Sequence, residues 1–275
     1  MPVIIGNSLN STNKKVLDKM NKMDFLYISK ESKNQLDHGA EFIELNAVSL
    51  LDNELTFLKN AVEVIEELGG KVLVRSNNTD VLLEIAKVAN KEIILGDIDY
   101  DKKKIDPIVD VLKDGKSKIV AQIKENGSGI PSSPERSLYI AQKYVDYLLD
   151  KGVRRDDIVL DPIITPLEED CRNGRKFLNT LELFKIDFPR VKTIAHLLDL
   201  SEGLPKRQLI SSHFVSLSIE KGLDYLSVNA LDKSIVESII TTMSLIGKDK
   251  NMQGYISYCR NSRELKKEEE NNEKN

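Results

Sequence analysis

Ile158-Val159-Leu160-Asp161-Pro162 and, one unit later, Val191-Lys192-Thr193-Ile194-Ala195-His196-Leu197-Leu198-Asp199 decide how this chain is read. Each opens as a short apolar run and closes on polar groups. Runs of that kind are strands of a sheet buried on both faces, and in such proteins ligands sit just past the C-terminal strand ends. The second unit continues into Ser201 and the turn Gly203-Leu204-Pro205-Lys206-Arg207, whose helix-start N–H groups and two cations suit an anionic tail or a solvated turn.

Working outward, the same kind of run recurs at Val3–Ile5, Phe42–Leu45, Val72–Val74, Glu92–Leu95, Lys118–Ala121 and Tyr225–Val228, giving eight with the two already quoted. Amphipathic segments lie between them. Leu55, Leu58, Val62, Ile65 and Leu68 share one helical face, as do Leu138, Ala141, Val145 and Leu148. Gly69-Gly70 and Gly152 end two of these helices, and Asp232 is placed to cap the last. Eight βα units predict an α/β fold, a (β/α)8 TIM barrel in a single domain over residues 1–263. The Lys, Glu and Asn-rich stretch 264–275 is expected to be a frayed or disordered tail. A doubly wound sheet is the runner-up, but Gly6-Asn7-Ser8-Leu9 is no dinucleotide fingerprint and no phosphate-binding P-loop is present.

The 275 residues carry 40 basic and 44 acidic side chains, a formal charge of -4, with no basic block interleaved with aromatics. That balance argues against nucleic acid as a partner. No apolar window approaches membrane-spanning length and the first residues carry no leader, so a cytoplasmic protein free of the membrane is expected. Cys171 and Cys259 are 88 positions apart with no second thiol nearby, and are expected to be ordinary buried or half-buried thiols. No metal site is expected, because His196, Asp161 and Asp199 lack further ligands at suitable spacing. His38 and His213 are expected to lie away from the mouth.

Strand-end residues of a barrel converge, so its mouth can be read in order. It would hold Asn7, Ser8 and Asn10, then Asn46, then Arg75, Ser76, Asn77 and Asn78. Asp97 and Asp99 follow the fourth run, Gln122, Lys124 and Glu125 the fifth, Asp161 the sixth, His196, Asp199 and Ser201 the seventh, and Asn229 the eighth. Amides and carboxylates suit a flat, heteroatom-rich ligand. A deep Asp161 would pair with a ring N–H and an amine, although an Asp-Pro pair also simply caps a strand. His196 is read as a proton shuttle or as a hydrogen-bonded wall residue. The glycine-rich stretch Lys124–Pro131 reads as an adjustable loop.

Several stretches together resemble the pterin-binding barrels that include dihydropteroate synthases and, more closely, the methyltetrahydrofolate:corrinoid-protein methyltransferases. They are Ile5-Gly6 to Asn10, Gly39-Ala40-Glu41-Phe42-Ile43-Glu44-Leu45-Asn46-Ala47, Ser76 to Asn78, Gly129-Ile130-Pro131, Leu160-Asp161-Pro162-Ile163 and Leu200-Ser201-Glu202-Gly203-Leu204-Pro205-Lys206-Arg207. The resemblance runs up to Gly247. It implies a homodimer that moves the N5 methyl of methyltetrahydrofolate, its substrate, to the cob(I)alamin of a separate corrinoid protein, with no metal of its own. Asp161 matches the pterin-binding carboxylate, and Asn10 and Asn46 match amides at the first two strand ends. Asp199 stands where the family has an Asn beside the methylated nitrogen, and is the candidate catalytic residue. Arg75, Ser76, Asp97, Gln122, His196, Ser201, Arg207 and Asn229 complete the candidate binding set.

The chain departs from the family pattern at two further positions. Arg75 replaces a pterin-binding Asp, and Gly96 with Asp97 replaces an Asn. A guanidinium inverts both charge and hydrogen-bond sense, so Arg75 is expected to pair with Asp97 or Asp199. The alternative reading is a divergent barrel that uses another methyl donor, or that binds a corrinoid protein or small molecule without folate methyl transfer. Dihydropteroate synthesis is disfavoured, because that branch needs a cationic diphosphate site at the last two strand ends.

Overall fold

A computed structural model describes residues 1–125 and 129–260. The chain alternates strands and helices: β1 (Val3–Asn10), α1 (Lys14–Asn21), α2 (Phe25–Asp37), β2 (Phe42–Asn46), α3 (Glu54–Glu67), β3 (Lys71–Arg75), α4 (Thr79–Val88), β4 (Ile93–Asp99), α5 (Lys102–Ile105), α6 (Val109–Leu112) and β5 (Ser117–Gln122). It continues through α7 (Pro134–Asp150), β6 (Ile158–Asp161), α8 (Asn173–Asp187), β7 (Lys192–His196), α9 (Arg207–Glu220), β8 (Tyr225–Val228) and α10 (Lys233–Leu245). The strands are all parallel, each beside its sequence neighbour, and β1 closes on β8. This is the (β/α)8 barrel that the spacing predicts. The expected tail, 264–275, lies outside the described residues, as do residues 126–128 of the glycine-rich loop.

The helices form where sequence periodicity places them, and their ends follow local chemistry. Asp232 caps α10 by accepting from the Ser234 N–H. Gly69 and Gly152 take the left-handed conformation, at φ 92° and 88°, just past α3 and α7. The inner face of α7 buries Ile140, Ala141, Tyr144, Val145 and Leu148 against the sheet.

Two strands, β1 and β4, run four or five residues beyond their apolar runs. The β1–β2 register shifts between Gly6 and Leu9, and the β4–β5 register shifts between Leu95 and Ile98. Each irregularity lets the strand resume pairing with polar residues. Asn7, Ser8 and Asn10, and likewise Asp97 and Asp99, therefore lie within strands and not in the loops after them. The buried Tyr144 hydroxyl donates to the Ile98 carbonyl at 2.9 Å, beside the β4 irregularity.

Two apolar bodies result. The larger lies between the strands and the surrounding helices. The smaller fills the barrel itself, with one side chain from each strand: Ile5, Phe42, Leu73, Ile94, Val120, Val159, Ile194 and Tyr225. Phe42 meets Tyr225 edge-on, ring centroids 6.1 Å apart. Cys171 departs from expectation. It is exposed, because it lies in the loop before α8 with no helix packed over it, while Cys259 is half-buried.

Phe42 is 1% exposed at the centre of the barrel filling. Phe42→Ala is expected to cost about 3–5 kcal/mol of unfolding free energy, read by urea denaturation, since neighbouring strands cannot collapse into the void.

Candidate active site

Side chains on a strand alternate faces, so the next inward position on each strand lies two residues beyond the apolar filling. Adding two gives Asn7, Glu44, Arg75, Gly96, Gln122, Asp161, His196 and Ser227. Seven of these eight carry polar side chains, stacked directly on an apolar floor. At Gly96 a side chain has no room, because a Cβ there would lie 2.6 Å from the Cβ of Val120.

The polar set is tied together through Glu44 and Arg75. Glu44, 1% exposed, accepts from the Ser227 hydroxyl at 2.7 Å through one carboxylate oxygen. Its other oxygen lies 3.0 Å from Arg75 Nε, an ion pair not aligned as a hydrogen bond. Arg75 Nη1 donates to Asp97. Burial by itself would raise the Glu44 pKa, yet the Arg75 charge above all, with the Ser227 hydroxyl bond, holds it below the ordinary range.

His196 Nδ1 lies 3.1 Å from the Ser227 oxygen, which also accepts from Asn7 Nδ2 at 3.3 Å. Because the single Ser227 proton points to Glu44, the imidazole carries its proton on Nδ1 and leaves Nε2 as an acceptor. Burial first, then the Arg75 charge, push the His196 pKa down to about 4, so the ring is neutral at pH 7. Five buried atoms of this cluster have no hydrogen-bond partner among the described residues: Glu44 Oε1 and Arg75 Nε, which face each other as an ion pair, and Arg75 Nη2, Asp97 Oδ1 and His196 Nε2. Of the last three, one is a donor and two are acceptors.

Asp161, 5% exposed, faces the same space from the end of β6. Burial raises its carboxyl to about 6 against the pull of Arg75, Lys124 and Gln122. Asp199, in the helical turn 197–201 after β7, is also raised to about 6, by desolvation first and then by the charges of Asp161, Glu202 and Glu44. Its side chain is still open to solvent, which makes the crowding of like charge the firmer cause. The mouth thus carries an excess of carboxyl groups, two of them able to hold a proton near neutral pH.

The remaining candidates hold up the rim. Asn10 accepts from the backbone and hydroxyl of Thr12, at 3.0 and 2.9 Å, and Asn46 from the Val48 N–H at 3.4 Å. The β1 irregularity sets Asn10 level with Asn46. Ser76 accepts from Asn78 N at 3.0 Å, and Asn229 from Leu231 N at 3.0 Å. Ser201 is fully buried, donating to the Leu198 carbonyl at 3.0 Å and pairing with Ser211 at 2.9 Å. Arg207 donates to the same carbonyl at 3.0 Å. Both are engaged in bracing the turn that carries Asp199. His38, just past the end of α2, and His213, on α9, are exposed, each ring bonded to a backbone carbonyl four residues back.

Sequence reading passes over Glu44 and Ser227 as site residues, and the two-residue step from Phe42 and Tyr225 is the signal that finds them. The expected pairing of Arg75 with Asp97 is present, but its second partner is Glu44, not Asp199. Among the described residues no group of three or more His, Cys, Asp or Glu side chains is arranged to hold a metal ion. No described helix is long and apolar enough to cross a membrane.

No protein-family profile matches the chain. Among curated proteins it is 22% identical over 256 residues to the methylcorrinoid:tetrahydrofolate methyltransferase of Eubacterium limosum, covering 92% of this chain and 94% of that one. Among solved structures it superposes on Yersinia pestis DHPS, determined with a pterine-sulfa conjugate, with a TM-score of 0.65 and 15% identity, over 90% of this chain and 94% of that one. The fold is therefore the barrel shared by methyltransferase-type and DHPS-type proteins.

Two stability measurements test this electrostatic arrangement. Removing the cation by Arg75→Met strands Glu44 and Asp97 and is expected to cost about 3–5 kcal/mol at pH 7. Adding Glu44→Gln should recover part of that loss, the non-additivity showing in a double-mutant cycle. For Asp161 the folded carboxyl binds its proton more tightly than the unfolded one. Its contribution to stability is thus greatest below the unfolded pKa, near 4, and is lost as pH rises through about 6. Asp161→Asn is accordingly expected to raise the melting temperature at pH 7–8 and flatten its pH dependence between about 4 and 6.

Proposed function

We propose that this protein binds a reduced folate by its pterin at the barrel mouth and moves a methyl group between folate N5 and the cobalt of a corrinoid carried by a separate protein. The observation that carries the reading is the end-to-end similarity to the Eubacterium limosum protein, whose name describes that transfer in the methylcorrinoid-to-tetrahydrofolate direction. The local chemistry supports it. A pterin edge offers N–H donors and a carbonyl acceptor, and the site offers the buried Asp161 carboxyl with one unmatched donor and two unmatched acceptors.

In this reading the protein supplies no nucleophile. From methyltetrahydrofolate, the electron pair of cob(I)alamin attacks the methyl carbon, the Co–C bond forms as the N5–C bond breaks, and N5 keeps the released pair. N5 takes up a proton, so that a neutral amine leaves. The reverse reaction returns the methyl to N5 and releases the proton and cob(I)alamin. Asp199, raised to about 6, is the group able to hold that proton at the mouth. Asp161 fixes the ring, and Asn10 and Asn46 shape the rim above it. The remainder of catalysis is orientation of folate against corrinoid, which needs an open mouth. A corrinoid protein and a second copy of the chain are the partners this reading implies.

One observation favours a second reading. Arg75 stands at a position where the resembled family has an accepting Asp, and it is held by Glu44 and Asp97. A ligand with a different edge, such as another methyl donor, would suit the altered donor set; a barrel that engages a corrinoid protein without transferring from folate also belongs here.

Mixing the protein with methyltetrahydrofolate and a reduced corrinoid protein is expected to convert the cob(I) spectrum to that of methylcobalamin. Absence of folate binding at millimolar concentration would remove the folate reading in favour of the second. Asp161→Ala should weaken folate binding by about tenfold to a hundredfold, the worth of hydrogen bonds to a charged group. Asp199→Ala should leave binding largely intact, slow the transfer and remove the titration near pH 6 from its rate profile.

A further inference from the structure

A cavity of about 640 Å³ opens between α5 and α7, beside the β4 and β5 strand ends. Its inner wall adjoins the site. Asp99, which lines it, is in register with Gln122, and Gln122 with Asp161, so the cavity begins two strand spacings, about 10 Å, from the pterin-facing carboxyl. Lys124, at the cavity's inner end, is near enough to lower the pKa of Asp161.

The charges of this cavity do not cancel. Its three carboxylates are engaged: Asp99 pairs with Lys104 at 2.6 Å, Glu125 with Arg136 at 2.7 Å, and Asp101 accepts the Lys103 backbone N–H at 2.9 Å. Against them stand Lys102, Lys103, Lys124 and Lys143, none with a carboxylate at ion-pair distance among the described residues. Lys143 Nζ lies 4.3 Å from the centroid of Tyr139, a ring left 50% exposed on the cavity wall. The site therefore combines an aromatic face with ammonium groups carried on three elements: Lys102 and Lys103 on α5, Lys124 just past β5, and Lys143 nine residues into α7, about 13 Å along that helix from its start.

Such an array discriminates among anions. A phosphate is held where backbone N–H groups and cations converge on one point. Ammonium groups spread along a groove match carboxylates that are themselves spaced along a chain.

We propose that this crevice binds the polycarboxylate tail of a folate whose pterin is seated at Asp161, with Tyr139 beside the aryl spacer and the four lysines along successive γ-linked glutamates. The proposal rests on the folate reading and adds to it a site that selects for tail length. Lys103 and Lys143 are exposed and outside the pterin site, so their reversal does not threaten the fold.

The test compares tetrahydropteroyl monoglutamate and triglutamate by calorimetry on the wild-type protein and on the Lys103→Glu/Lys143→Glu variant, with free tetra-γ-glutamate as a third probe. The triglutamate is expected to bind wild type about tenfold more tightly than the monoglutamate, with an advantage that shrinks between low and physiological salt. In the variant that advantage should fall to about one, the larger loss of affinity falling on the triglutamate. If both folates bind wild type equally, or the variant keeps the preference, the crevice proposal is wrong and the folate reading stands. If neither folate binds but tetra-γ-glutamate does so in a lysine-dependent way, the folate reading is wrong and the crevice remains a polycarboxylate site. Failure of all three probes removes both.

Discussion

Everything at the mouth of this barrel depends on the two-residue alternation of a β-strand inside a closed sheet. A parallel strand buried on both faces has no freedom to hide a misplaced side chain, because one face meets the helices and the other meets seven neighbours. Ile5, Phe42, Leu73, Ile94, Val120, Val159, Ile194 and Tyr225 fill the interior. The polar set two residues beyond lies on that apolar floor, buried at Glu44, Arg75, Asp161 and Ser227 and half-buried at Asn7, Gln122 and His196. Burial of that kind is what moves Asp161 upward and His196 downward, while the neighbouring carboxylates push Asp199 upward.

Within that enclosure Arg75 organises the charges. Its guanidinium lies between Glu44 and Asp97, lowers His196 and pulls against the rise of Asp161. Removing Arg75 leaves both Glu44 and Asp97 without a cation, so the three act as a unit. The same arrangement leaves donors and acceptors unspent at the mouth, and Asp161 costs stability at neutral pH. A residue that weakens the empty barrel and faces a ligand space is what a binding site requires, since stability and site chemistry compete for the same buried positions.

The barrel was legible because its signal is repeated. Eight apolar runs, separated by helices with glycine stops and an Asp cap, each state the same thing, and an error of one residue at Glu92 or Val191 leaves the topology unchanged. Single residues have no such redundancy. Ser201 and Arg207, on a stretch that resembles a ligand loop, are drawn into bracing the turn that carries Asp199. Glu44, flanked by Ile43 and Leu45, reads as one charge in an apolar strand until its partners in β3 and β8 are known.

What the chain's own order determined is therefore the architecture and the list of polar groups at the strand ends, because hydrophobic periodicity and helix capping are local and act over a few residues. The tertiary structure alone decided which of those groups meet. Glu44 and Ser227 are 183 positions apart, yet the serine hydroxyl donates to the carboxylate, and Arg75 pairs with Glu44 and Asp97 and not with Asp199. Such pairings follow from barrel closure and from the register shifts in β1 and β4, which no single strand carries in its own sequence.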